Sequence, residues 1–189
     1  MIQQIKKYDQ LEEFLNSSLL SHQVLHIDLN DNQIGNEEAL GLGSALANCI
    51  NLSNLTLVLS RNQIGDKGAS GLGSAIANCI KLQNLTLDIS ENQIGDGGAS
   101  GLGSALAKCI NLSNLELYLG AKQIGAIGAS DLASGLANCI NLSSLTIDLR
   151  RNKIDDESAS DLVSSLTNCI NLSSLTLELG QKQFIYFRL

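Results

Sequence analysis

The sequence predicts an α/β solenoid, a curved horseshoe with a parallel β-sheet on the concave face and α-helices on the convex face. Three observations lead there. The segment at 52–81 (LSNLTLVLSRNQIGDKGASGLGSAIANCIK) returns almost unchanged at 82–111 and twice more with substitutions, without insertions. A fixed period of this length marks units that stack on one another. Thirty-five of the 189 residues are leucine, whereas aromatics make up 3%, so the core repeats one small module. Finally, each unit carries a stretch of period two followed by one of period three to four, with too few residues between them for a crossover to a distant strand.

Within the unit, Leu55, Leu57 and Leu59 alternate with Thr56 and Val58, the pattern of a strand with one apolar face. A polar turn follows at Ser60, Arg61, Asn62 and Gln63. Ala69, Leu72, Ala75, Ile76 and Cys79 then fall on one helical stripe, with Asp66 placed as its N-cap. Gly71 and Gly73 make this a poor isolated helix, since glycine costs ~1 kcal/mol against alanine. Neighbouring units must therefore hold it. Small Gly, Ala and Ser positions let the outer layer close up, and strands ~4.8 Å apart beneath helices ~10 Å apart force the stack to curve with the sheet inside.

These residues resemble the long type of leucine-rich repeat found in the ribonuclease inhibitor-like family. The matching pattern is Leu52-x-x-Leu55-x-Leu57, a turn Asn62-x-Ile64, Gly68, then Leu72 and Ile76, recurring from about residue 22 to residue 180. A third alternating apolar position (Leu59, Ile89, Leu119, Leu149, Leu179) departs from the family and predicts a strand longer by two residues. The resemblance implies that the turn asparagines at 32, 62, 92 and 152 bond neighbouring backbone. Lys122 and Lys182 replace them in two units, where looser turns are expected. It also implies protein binding, or regulation of a partner enzyme such as a GTPase, as in the Ran GTPase-activating protein.

The organisation is then an N-terminal helical cap over 1–21, repeats over 22–180, and a tail at 181–189 that is an incomplete repeat or a lid. Ile2, Ile5, Tyr8, Leu11, Leu15 and Leu19 have helical spacing in the cap. Phe184, Tyr186 and Phe187 in the tail either cover the last repeat, whose open end exposes apolar surface, or form an edge for self-association.

Nineteen acids against twelve Lys and Arg give a net charge of −7, which argues against nucleic acid or an anionic membrane as partner. The short apolar runs and the lack of a leader pattern in MIQQIKKYDQLEEF point to a cytoplasmic, intracellular protein. Cys49, Cys79, Cys109, Cys139 and Cys169 recur one unit apart, ~10 Å on the helical side, beyond disulfide reach. They read as buried small hydrophobes in a reducing compartment. His22 and His26 lack the zinc-protease glutamate and lie ~13 Å apart on an extended chain. The GxxGxG runs at 68–73 and 98–103 lack a P-loop lysine, and the Asp28-x-Asn30-x-Asn32 run lacks the glycine and glutamate of a calcium loop. The sequons at Asn16, Asn51, Asn54, Asn84, Asn111, Asn141 and Asn171 follow from Asn-, Ser- and Thr-rich repeats. No cofactor, metal site or catalytic residue is expected.

The remaining candidate is the outward side of the strands, where the units differ most. One column reads His26, Thr56, Thr86, Glu116, Thr146, Thr176, the next Asp28, Val58, Asp88, Tyr118, Asp148, Glu178, and the third Asn30, Ser60, Ser90, Gly120, Arg150, Gly180. The predicted site is Asp28, Asp88, Glu116, Tyr118, Asp148, Arg150 and Glu178. Its predicted ligand is a basic segment of a partner protein, steered by the acids and anchored on Tyr118. The function is therefore a non-enzymatic binding scaffold.

Overall fold

The computed structural model describes residues 5–120, 123–180 and 184–188. One sheet of eight strands runs in sequence order, β1 (Ile5–Tyr8), β2 (Val24–Asp28), β3 (Asn54–Val58), β4 (Asn84–Asp88), β5 (Asn114–Tyr118), β6 (Ser144–Asp148), β7 (Ser174–Glu178) and β8 (Phe184–Arg188). All neighbours are parallel except β7 and β8. Residues thirty apart face each other, as in Leu57↔Leu87 and Asp88↔Tyr118. Each strand from β2 to β6 leads into one helix: α2 (Asn36–Ala47), α3 (Asp66–Ile76), α4 (Asp96–Leu106), α5 (Ala126–Leu136) and α6 (Asp156–Leu166), with a short α1 (Leu11–Leu15) ahead of them.

The alternating leucines do what their period requires. Leu55, Leu57 and Leu59 are buried, and so are Leu72 and Ile76 of the facing helix, so one continuous core runs the length of the stack. The strands β2–β7 span five residues, but the ladder continues beyond them, with Leu59 N donating to Asp88 O at 2.7 Å and Arg61 N to Ser90 O at 3.1 Å. The third apolar position thus lengthens the hydrogen-bonded run.

The turn asparagines act across units. Asn62 is buried, donates to Leu29 O, Leu59 O and Ser60 O, and accepts from Asn32 N and Ile34 N. Asn92 and Asn152 repeat the arrangement with Leu59 O and Leu119 O of the preceding turn. Buried backbone groups need such partners, and in the same turns Arg61, Glu91 and Arg151 stand at positive φ. The turns carrying Lys122 and Lys182 lie outside the described residues.

Asp66 is not the N-cap of its own helix. The N-cap of α3 is Gly65, and the Asp66 carboxylate reaches forward to accept Gly95 N, the N-cap of α4, at 2.7 Å. Asn36 bonds Gly65 N and Gly68 N in the same way, and Asp96 bonds Gly125 N and Gly128 N. This contact explains a glycine column. A Cβ at Gly68, Gly98 or Gly128 would come within 2.5–2.8 Å of that side-chain oxygen. Where Ala126 breaks the series, α6 is capped from within: Asp155 replaces the glycine and accepts Ser158 N at 2.9 Å. At the other end, Glu38 accepts Gly35 N at 3.0 Å, there being no earlier unit of this kind to reach across.

The middle helices meet backbone to backbone. A Cβ on Gly135 would strike the Gly103 main chain, and one on Gly103 would lie 2.8 Å from Leu132 Cα. The five cysteines are buried and free. Cys79 and Cys139 point their thiols at Leu46 O and Leu106 O of the preceding helix, both at 3.3 Å. Burial pushes both of these thiols up to about 12, which suits an inert core residue.

The N-terminal segment differs from expectation. Its first part is strand β1, which extends the sheet, and only Leu11–Leu15 is α-helical. The unpaired edge of β2 recruits Ile5–Tyr8 by backbone bonds, which outweighs a helical spacing carried by few apolar residues. Phe14 plugs the core beneath, packed edge-on against Tyr8 at 5.5 Å and near His22. At the other end, β8 turns back antiparallel on β7, so the last turn leads to a strand; Ile2 lies outside the described residues, and so do the side chains of Phe184, Tyr186 and Phe187.

Candidate functional site: the concave face

Strand pleating puts the predicted columns on the open side of the sheet. Asp28, Val58, Asp88, Tyr118, Asp148 and Glu178 lie side by side on successive strands, and Glu116 sits beside Thr86 and Thr146. The face divides into three parts.

At the N-terminal end Asp28 is exposed, with no ion-pair partner among the described residues, and its neighbour Val58 is uncharged. In the centre, Asp88 accepts from Ser90 Oγ at 2.6 Å, while Glu116 accepts weakly from Thr86 Oγ1 and Tyr118 OH, both at 3.3 Å. Partial burial, together with Glu116, Asp88 and Asp148, holds the Tyr118 hydroxyl above its ordinary pKa. It is therefore a neutral donor at physiological pH.

The C-terminal part behaves differently from the sequence expectation. Asp148 is 8% exposed, and Arg150 folds back on it with two bonds, Nε to Oδ1 at 3.0 Å and Nη2 to Oδ2 at 2.6 Å. The same Nε lies 2.8 Å from Glu178 Oε2. Two of the five acids thus share one internal arginine, whose own proton is held more tightly as a result. The i, i+2 spacing of Asp148 and Arg150 on one strand face carries this signal. Beside the trio is a depression of about 650 Å³, floored where Gly120 and Gly180 carry no side chain and rimmed by Ser90, Glu91 and Arg151. Glu91 stands between Arg61, at 3.4 Å, and Arg151, at 3.6 Å. The sequence reading did not single out this rim, because its residues belong to turns and not to strands.

His22 and His26 are separated by the fold. His22 is buried in the N-terminal cap with Ser17 Oγ at 2.8 Å from Nε2, and His26 faces the concavity. Among the described residues, no group of three or more His, Cys, Asp or Glu could hold a metal ion, and no helix is long and apolar enough to cross a membrane.

A family profile described as "Leucine Rich repeat" matches residues 51–73, 81–103 and 141–163. These three segments are leucine-rich repeats. Those matches fall on three of the 30-residue units, and the fold supplies the remainder. No curated protein sequence matches the chain. Among solved structures, an actin-binding site 2 of leiomodin-1 matches with a TM-score of 0.60 at 16% identity, covering 85% of this chain and 87% of that one. The C-terminal domain of a tropomodulin from Caenorhabditis elegans gives a TM-score of 0.58 at 15% identity, covering 85% and 93%. At such identities the likeness is one of fold.

Proposed function

We propose that this leucine-rich-repeat chain is a non-enzymatic scaffold that binds a basic segment of a partner protein at the centre of its concave face. The observation that carries the reading is the contrast along one strand face. Asp148 and Glu178 have their cation in Arg150, whereas among the described residues Asp88 and Glu116, flanking Tyr118, have none within 4 Å. An arginine or lysine from outside would complete the centre as Arg150 completes the end, and Tyr118 offers a half-buried ring on which its stem can lie. The description of one structural neighbour as an actin-binding site supports protein as the ligand class and leaves the partner's identity to the chemistry of the face.

The test is selection from a displayed library of random peptides, followed by titration of the enriched sequences. Enrichment of Lys- and Arg-containing peptides is expected, with affinity that falls in high salt. The Asp88→Asn, Glu116→Gln, Tyr118→Ala variant should lose them, while Asp28→Asn, at the exposed end, should keep them. Enrichment of acidic peptides, or binding unchanged in the triple variant, would refute the site.

A further inference from the structure

The residues that follow the five cysteines, with Leu20 one period ahead of the first, form a line of exposed apolar side chains, a ridge. Leu20, Ile50, Ile80, Ile110, Ile140 and Ile170 occupy the same position in successive turns, and all six are between 48% and 83% exposed. They account for six of the nine exposed large hydrophobics among the described residues. Scattered exposed isoleucines need no explanation, whereas six in line mark a contact surface. The ridge runs along the flat side of the solenoid, where each helix has ended and the next strand has not begun, away from both the concave face and the convex helices.

Two further features mark this side. It is rigid, because an asparagine from the following turn clamps the ridge carbonyls: Asn51 on Leu20 O, Asn111 on Ile80 O, Asn141 on Ile110 O and Asn171 on Ile140 O. It is also free of acid. In segments 17–24, 47–54, 77–84, 107–114, 137–144 and 167–174 there is no aspartate or glutamate, and Lys81 and Lys108 are the only lysines or arginines, in a chain of net charge −7. Two copies of so acidic a chain would repel one another over most of their surface, but not here.

We propose that the ridge is the contact between two copies of this chain, packed flat side to flat side about a two-fold axis. The geometry favours a second copy as occupant. An axis running radially between the third and fourth ridge positions maps the arc onto itself in reverse, so curvature and spacing match along its whole length. Ile80 then meets Ile110, Ile50 meets Ile140, and Leu20 meets Ile170. In this register Lys81 faces Asn111 and Lys108 faces Asn78, so no lysine meets its own copy; centring the axis on Ile110 would bring Lys108 against Lys108. A single ridge is a small contact beside the ~800 Å² per partner of a standard stable complex, so the dimer is a weak one that forms as concentration rises. The two concave faces remain open in it, side by side.

Sedimentation velocity from low micromolar to ~1 mM protein reads the association. The wild-type chain should shift from one to two chain masses, and Ile80→Asp/Ile110→Asp should remain at one mass with an unchanged circular dichroism spectrum and thermal transition. Crosslinking tests the register independently of those charges. Native thiols are buried, so a short bis-maleimide should join an Ile80→Cys chain to an Ile110→Cys chain faster than either to itself. A wild-type chain that stays monomeric throughout, an Asp variant that still dimerises (placing the contact elsewhere, as at β8), or crosslinking equal in all mixtures would each overturn the proposal.

Discussion

Helix starts inside the stack and helix starts at its ends are capped by different means. In α3, α4 and α5 the first backbone N–H groups are bonded by Asn36, Asp66 and Asp96 of the preceding unit, whereas α2 and α6 use their own Glu38 and Asp155. Both devices satisfy the orphan donors of a helix N-terminus and place a polar or acidic group at its positive end. Only the first also ties one unit to the next. The interior is therefore cooperative in its polar contacts as well as in its core, while α6 is held by local chemistry and by the larger Val163 and Ser165 where α4 has Gly103 and Ala105.

Substitutions that force the two regions apart should have the largest effects. Gly135→Ala places a methyl on the Gly103 backbone and should destabilise the chain by about 3 kcal/mol, despite the ~1 kcal/mol gain in helix propensity. Ser165→Ala, in the same column of α6, should change stability by less than ~0.5 kcal/mol; chemical denaturation measures both. Asn62→Ala removes a buried amide that serves five backbone groups and should cost about 2–3 kcal/mol, against less than ~0.5 kcal/mol for the exposed Asn32→Ala.

Smaller effects locate the capping. Asp66→Ala should cost about 1 kcal/mol, with amide exchange rising at the start of α4 and not of α3. Asp155→Ala should cost as much but speed exchange within its own helix α6. Increased exchange in α3 on replacing Asp66 would refute capping across units.

The smallest predicted effect is on pH dependence at the N-terminal end. Burial and the nearby Lys6 charge hold His22 below its ordinary pKa of 6.5. The folded state thus prefers the neutral ring, so this contribution is complete above 6.5 and declines as pH falls from there towards the lowered folded value. His22→Gln should flatten thermal stability over that interval, whereas His26→Gln should not.

Much of the architecture is legible in the sequence because a solenoid's contacts recur at fixed separation. The cysteine column sets the register, and Leu55, Leu57 and Leu59 declare both strand and buried face. Asp66 was misplaced because its partner lies twenty-nine residues ahead, although the pairing leaves a trace: glycine stands at 68, 98 and 128, and both Asp and Gly disappear together at Ala126 and Ser158. Within the expected helical cap Ile5–Tyr8 departs for a similar reason, being a strand because β2 offers an edge, whereas Leu11–Leu15 is helical. On the concave face the columns are readable, and the i, i+2 spacing puts Arg150 within reach of Asp148, but the rotamer that folds the guanidinium back is set by the packing around it.

The five thiols have one more consequence. Each is buried in the stack and nearly the same in chemistry, so an alkylating reagent can reach one only when the array opens at that point. The order in which Cys49, Cys79, Cys109, Cys139 and Cys169 become labelled would chart where the array begins to fray and which way the opening spreads. The chain carries its own set of evenly spaced clocks.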